Sequence, residues 1–199
     1  MRYQRACHQG VRLCLRVEMS LIENESNHMP ENIEEREAAI ERMAKFLDIL
    51  RGEDDLGIII RAHIHIEHEL TEFIEARLSE PSILKPLRPT YEDKVLLAVG
   101  LGFLPEYQAA LSNIGKLRND FAHNLRGTLG KQEANNLRKA MAAEALEIAR
   151  RSYVATREKL ASDRPEGLEQ QQPRDEIVLY LVSLWSALAT AAIQAKAVK

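Results

Sequence analysis

From Ile177 to Ala195 the chain carries no Asp, Glu, Lys or Arg. A charge-free run of this length has two homes, the hydrocarbon of a membrane or the middle of a helical bundle. Ser183, Ser186, Thr190 and Gln194 interrupt it, and many of its other residues are alanines, which contribute little to membrane insertion. The run is therefore expected to be the central buried helix of an all-α domain, or a helix at a dimer interface, rather than a tail anchor. No membrane association is expected. The rest of the chain has to supply amphipathic helices that cover this one.

Composition points the same way. Aromatic residues make up 5% of the chain while Ala, Leu, Ile and Glu abound, a balance that favours helix. A length of 199 residues suits one domain with a sizeable core. The net charge of −3 excludes a global basic footprint for duplex DNA. Cys7 and Cys14 both lie near the N-terminus, which suggests a reducing, cytoplasmic setting rather than a disulfide scaffold. With His8 between them they still fall short of a zinc site. No metal and no cofactor are expected.

Along the chain, residues 1–30 carry Arg2, Arg5, Arg12 and Arg16 without a long apolar run, so they are not a secretory signal. They are expected to be a disordered or weakly helical tail, or an extension ahead of a start at Met19 or Met29. Asn32 with Glu35 forms a capping-box pattern that opens a first helix to Arg51, with a buried stripe of Ile40, Met43, Leu47 and Leu50. Gly52 breaks it, and Asp54 or Asp55 caps a second helix to about Leu78. Prolines at 81, 86 and 89 make Ser79 to Pro89 a loop. Thr90 with Asp93 caps a short helix that Gly100 and Gly102 end. Pro105 suits the first turn of a helix to about Leu125, stopped by Gly127 and Gly130. Lys131 to about Ser162 reads as one more helix. It is the most basic stretch, but interspersed glutamates make it an ordinary ion-paired surface helix. The layout is thus a helical domain over 31–162, a polar linker over 163–175 and an apolar helix over 176–199 packing on the same domain. Five to six helices are expected.

The helix from Pro105 also holds the chemistry, in Lys116-Leu-Arg-Asn-Asp-Phe-Ala-His-Asn124. Ala110, Ile114, Leu117 and Phe121 mark one buried face. At about 100° per residue, and with Arg118 set at zero, Ala122 lies near 40°, Asn119 near 100° and His123 near 140°. Asp120 falls on the far side. A fixed cation, an amide and an imidazole that titrates near neutrality therefore share a ledge beside the core. Such a set suits phosphate chemistry: the guanidinium can clamp a phosphate through two hydrogen bonds, and the imidazole can move a proton. The same residues could instead cap carbonyls or bridge helices, with His123 favoured at a helix C-terminus.

Arg118-Asn119-Asp120-Phe121-Ala122-His123 resembles the signature of the HEPN superfamily, an Arg with a polar neighbour followed at a short interval by His. The wider "LRNDFAHN", with "YEDKVLLAVGLGFL" and "GEDDLGIIIRAHIHIEHELTEFIEARL" before it, is similar to the mannitol operon repressor family. The likeness covers about Ala38 to Ala195. It implies a HEPN-like helical bundle, dimeric, acting in transcriptional control through protein or ligand contacts without touching duplex DNA. It also implies the alternative of a metal-independent endoribonuclease, with Arg118 on phosphate, Asn119 placing the ribose or stabilising charge and His123 handling protons at a dimer cleft. A protein partner or RNA is expected in either case.

One further constellation lies on the second helix. His65 with His68 or Glu69 has metal-ligand spacing, but no third ligand is evident and core or interface histidine is the better reading. Arg61, His65 and Glu69 form an i, i+4, i+8 ridge that is expected to face the Arg118–His123 ledge, where Glu69 would orient His123 or pair with Arg118.

Overall fold

The computed structural model describes residues 41–43, 45–50, 52–123, 127–159, 163 and 165–197. The expectations for the N-terminal tail, for Cys7 and Cys14 and for the start of the first helix lie outside these residues. Everything described is helix, turn or coil, and the fold is all-α. Among the described residues eight helices follow one another, rather than the five to six expected: α1 (41–43 and 45–50), α2 (Asp55–Arg77), the single turn α3 (Leu84–Leu87), α4 (Tyr91–Gly100), α5 (Gln108–His123), α6 (Lys131–Ala140), α7 (Ala143–Lys159) and α8 (Pro173–Ala197).

The helix ends obey local chemistry. Asp54 caps α2, its carboxylate accepting from the Gly57 N–H at 2.7 Å. Thr90 and Asp93 close a reciprocal capping box on α4. Gly102 follows α4 at φ +101°, a conformation that only glycine adopts without strain. Pro105 opens a 3-10 turn, Pro105–Tyr107, that leads into α5.

Three expectations need correction. The 79–89 stretch, read as a loop, holds a 3-10 turn (Pro81–Ile83) and the single turn α3. The segment after Lys131 is two helices, because Met141 is extended (ψ 138°) and its N–H folds back to the carbonyls of Leu137 and Arg138. No Gly or Pro marks this break. Tertiary packing imposes it, since Leu137, Met141 and Ala145 are all buried. The stretch read as a linker is pinned rather than free. Tyr153 donates to the Pro165 carbonyl at 2.7 Å, Gln171 donates to the Tyr153 hydroxyl at 2.7 Å, and Arg150 pairs with Glu169 at 2.5 Å. Leu168 is buried, and α8 begins at Pro173, a residue tolerated in a first helical turn.

α2 and α8 form the central pair and run the same way. Arg174 meets Asp55 at one end (3.4 Å) and Lys196 meets Glu72 at the other (2.5 Å). α4 and α5 pack on α2, α6 and α7 pack on α8, and contact between α5 and α6 closes the bundle. α1 lies across α2 and α8. Its Phe46 ring sits 5.0 Å from the His65 ring and 5.6 Å from that of Trp185, and Met43 accepts from Ser186 at 3.0 Å. Every residue from Leu181 to Thr190 is buried. By length and composition α8 could cross a membrane, but 78% of its most apolar window is covered by the protein. The apolar run therefore serves as the core of the bundle, which is what an all-round apolar helix requires.

Candidate functional site

α5 meets the core through Ala110, Leu111, Ile114, Gly115, Leu117 and Phe121, the face that its periodicity marks. Gly115 is required there: a Cβ would stand 2.8 Å from Cδ1 of Tyr91 on α4. Just past the helix, a Cβ on Gly127 would stand 2.7 Å from the Phe121 ring. Gly127 therefore sits directly against that ring, and the Leu129 N–H donates to the Asp55 carboxylate at 2.9 Å. Asp55 thereby ties the start of α2 to both the end of the motif helix region and Arg174 of α8.

The opposite face of α5 is open. Arg118, Asn119, Asp120, Ala122 and His123 are all exposed. Arg118 Nη1 donates to Asn119 Oδ1 at 3.0 Å, so a neutral amide holds the guanidinium on the helix surface. His123 is the last described residue of the helix. Asn124 lies outside the described residues.

Behind this face stands a cluster that periodicity alone did not single out. His63 of α2 is buried, with its ring 4.3 Å from that of Tyr91. Its Nδ1 is 3.8 Å from Glu67, which pairs more closely with Lys94 at 2.7 Å. Burial lowers the His63 pKa below the ordinary 6.5. Glu67 opposes that shift, and the charges of Arg118 and Lys94 reinforce it. Stability linked to His63 is thus complete above the ordinary histidine value and is lost as pH falls below it. Tyr91 is likewise held protonated by burial, and its hydroxyl donates to the Leu111 carbonyl of α5 at 3.0 Å. The signal was present in the sequence: His63 and Glu67 are four apart, and both border the stripe of Ile59, Ile66, Leu70 and Ile74.

The ridge of Arg61, His65 and Glu69 exists but points elsewhere. Arg61 pairs with Glu53 at 2.6 Å, and His65 stacks under Phe46 of α1. Glu69 is buried, and its Oε2 has no hydrogen-bond partner. Burial raises its pKa, against the pull of Arg42, His68 and Lys196 and with the push of Glu72. These groups belong to α1, α2 and α8. The expected contact of Glu69 with Arg118 or His123 is replaced by this one, because residues 61, 65 and 69 lie across the helix from the His63–Glu67 edge. Burial also lowers the His65 pKa, with His68 and Arg61 adding to it.

Among the described residues no three His, Cys, Asp or Glu side chains gather to hold a metal. The basic helix α7 is ion-paired, with Arg150 on Glu147 and Glu169 and Arg151 on Glu147. Arg138 of α6 reaches the buried Glu176 at 3.6 Å. No known protein family, curated protein or solved structure matches the chain.

Proposed function

We propose that the outward face of α5 is the working surface of a regulatory helical protein of the mannitol operon repressor type. It acts in cytoplasmic transcriptional control through protein or ligand contacts, and as a homodimer. The observation that supports this reading is the joint exposure of Arg118, Asn119 and His123. Three polar side chains sit on one helix, and the described hydrogen bond of Arg118 goes to its own neighbour rather than to another helix. Exposed polar groups not engaged in holding the fold are free to meet a partner.

A second reading has its own support. A guanidinium steadied by an amide, one turn before an exposed imidazole, is a chemically competent set for cleaving RNA without a metal. Arg118 would bind the phosphate through two charge-assisted bonds, Asn119 would place the ribose or take up developing charge, and His123 would move the proton. One imidazole per chain has to act as base and acid in turn, so two copies would pool theirs at a dimer cleft.

The deciding experiment is RNA cleavage by purified protein in EDTA, comparing wild type with Arg118→Ala and His123→Ala and recording a melting curve for each. Cleavage lost in both variants with the fold intact establishes the nuclease. If no preparation cleaves, a mannitol-responsive reporter carrying the same variants tests the regulator. Loss of control at unchanged protein level supports it, and unchanged control by both variants rejects it.

A further inference from the structure

α4 packs inward through Val95 and Ala98 and turns Asp93, Leu96, Leu97 and Gly100 outward, at i, i+3, i+4 and i+7. Leu96 is 52% exposed, Leu97 37%, and Leu104, in the turn after the helix, 51%. The other exposed large apolar side chains are spread over α2, the α3 region and α7. A Cβ added to Gly100 would meet nothing within 4 Å, so the row carries an open notch one turn from Leu97. A lone exposed leucine needs no explanation, but a row of them on one helix marks a contact surface.

Opposite charges bound the row. Glu92 and Asp93 are exposed at its N-terminal end. Asp93 uses Oδ2 in the capping box, which leaves Oδ1 outside the described hydrogen bonds. At the other end stands Arg77 of α2. Its Nε donates to the Leu101 carbonyl at 3.1 Å, and its Nη2 lies 2.9 Å from the place of a Cβ on Gly102. A face that is acidic at one end, apolar in the middle and cationic at the other is complementary to itself when turned end over end.

We propose that the outer face of α4 is the interface between two copies of this chain, with their α4 helices antiparallel across a two-fold axis. The proposal rests on the homodimer reading above and adds where the copies meet. Leu97 of each copy enters the notch at the partner's Gly100. Pairing position 97 with position 100 pairs position 93 with position 104. Asp93 then stands within about 3 Å, along the helix axis, of the level at which the partner's Arg77 lies. Apolar contact supplies the attraction, and the end charges fix the direction, because a parallel pair would set acid against acid.

The same arrangement places the two motifs. α5 starts beside the C-terminal end of α4, where the Tyr107 ring is 5.5 Å from that of Phe103. It passes the N-terminal end of α4 at Ser112, which donates to Glu92, and at Gly115, which abuts the Tyr91 ring. At about 1.5 Å per residue, His123 lies about 12 Å further along, past the acidic end of α4. Two-fold symmetry about the Leu97–Gly100 contact sends the two copies of His123 to opposite ends of the dimer. Each α5 face therefore meets its ligand or partner alone, and this interface does not form the pooled cleft that RNA cleavage would use.

The test is sedimentation equilibrium of the full chain over micromolar concentrations, with circular dichroism to check the fold of each variant. Wild type should be dimeric. Leu97→Glu puts a carboxylate into each half of the contact and should weaken the dimer about a hundredfold or more. Val154→Glu, at an exposed position on α7, should leave it unchanged. The register has its own arm, which decides even if Leu97→Glu fails to fold. With Cys7 and Cys14 replaced by serine, a mixture of Leu97→Cys chains and Gly100→Cys chains should oxidise to a mixed disulfide-linked dimer. A wild-type dimer that survives Leu97→Glu overturns the α4 interface and leaves the homodimer reading standing, as does a dimeric mixture that forms no mixed disulfide. A monomeric wild type overturns both, and means that another partner or another part of the chain covers the row.

Discussion

α5 and α8 both lie against α2, and they use their sequences in opposite ways. α8 buries every residue from Leu181 to Thr190, and its polar atoms are hidden among apolar neighbours. α5 buries one stripe and turns a cation, an amide and an imidazole outward. The contrast separates two uses of a helix. An unbroken apolar run can only be covered, so its residues matter through packing. A run with a 3.6-residue period leaves half its surface uncommitted, and that half can carry chemistry at little cost to stability.

The comparison can be broken first at Trp185, which is buried against Phe46 with no partner for its Nε1. Trp185→Ala removes a large buried ring and is expected to cost about 3–5 kcal/mol in urea unfolding. A loss below about 1 kcal/mol would mean that α8 is not the centre of the core. Next comes the inner face of α5. Gly115→Val pushes a side chain into Tyr91, where a Cβ alone already stands at 2.8 Å, and is expected to cost about 1–3 kcal/mol. An unchanged midpoint would show that α4 and α5 pack less closely than described.

A smaller, pH-dependent effect belongs to Glu69 on the other edge of α2. Burial raises its pKa, so its contribution to stability is complete below the unfolded carboxyl value and is lost as pH rises through the folded one. Glu69→Gln removes that loss. Relative to wild type, the variant should gain thermal stability as pH rises above the ordinary carboxyl value. A difference that stays constant with pH would mean that Glu69 is already charged and compensated.

How far the sequence could be read varies with the kind of information each feature carries. The caps at Asp54 and at Thr90 with Asp93, the buried stripe of α5 and the apolar run of α8 are local patterns, and each appears where its residues place it. The break at Met141 is not local, because Ala140 to Ala143 would continue a helix in isolation. The polar stretch before α8 looked like a linker because its anchors, Tyr153 and Arg150, lie on another helix. At the site, spacing separated Arg118, Asn119 and His123 from the core. It could not say which edge of α2 stands behind them. Choosing between the His63–Glu67 edge and the His65–Glu69 edge requires knowing where α4 and α1 dock, and that is tertiary information.

The smallest predicted effect on stability carries the most weight, because the account rests on the outward face of α5 contributing nothing to the fold. The direct measurement is thermal unfolding of Arg118→Ala with His123→Ala beside wild type. The double variant is expected to lie within about 0.5 kcal/mol of wild type, as for exposed side chains away from packing and caps. A loss of about 2 kcal/mol or more would contradict it and would make Arg118 and His123 part of the structure that holds the bundle together.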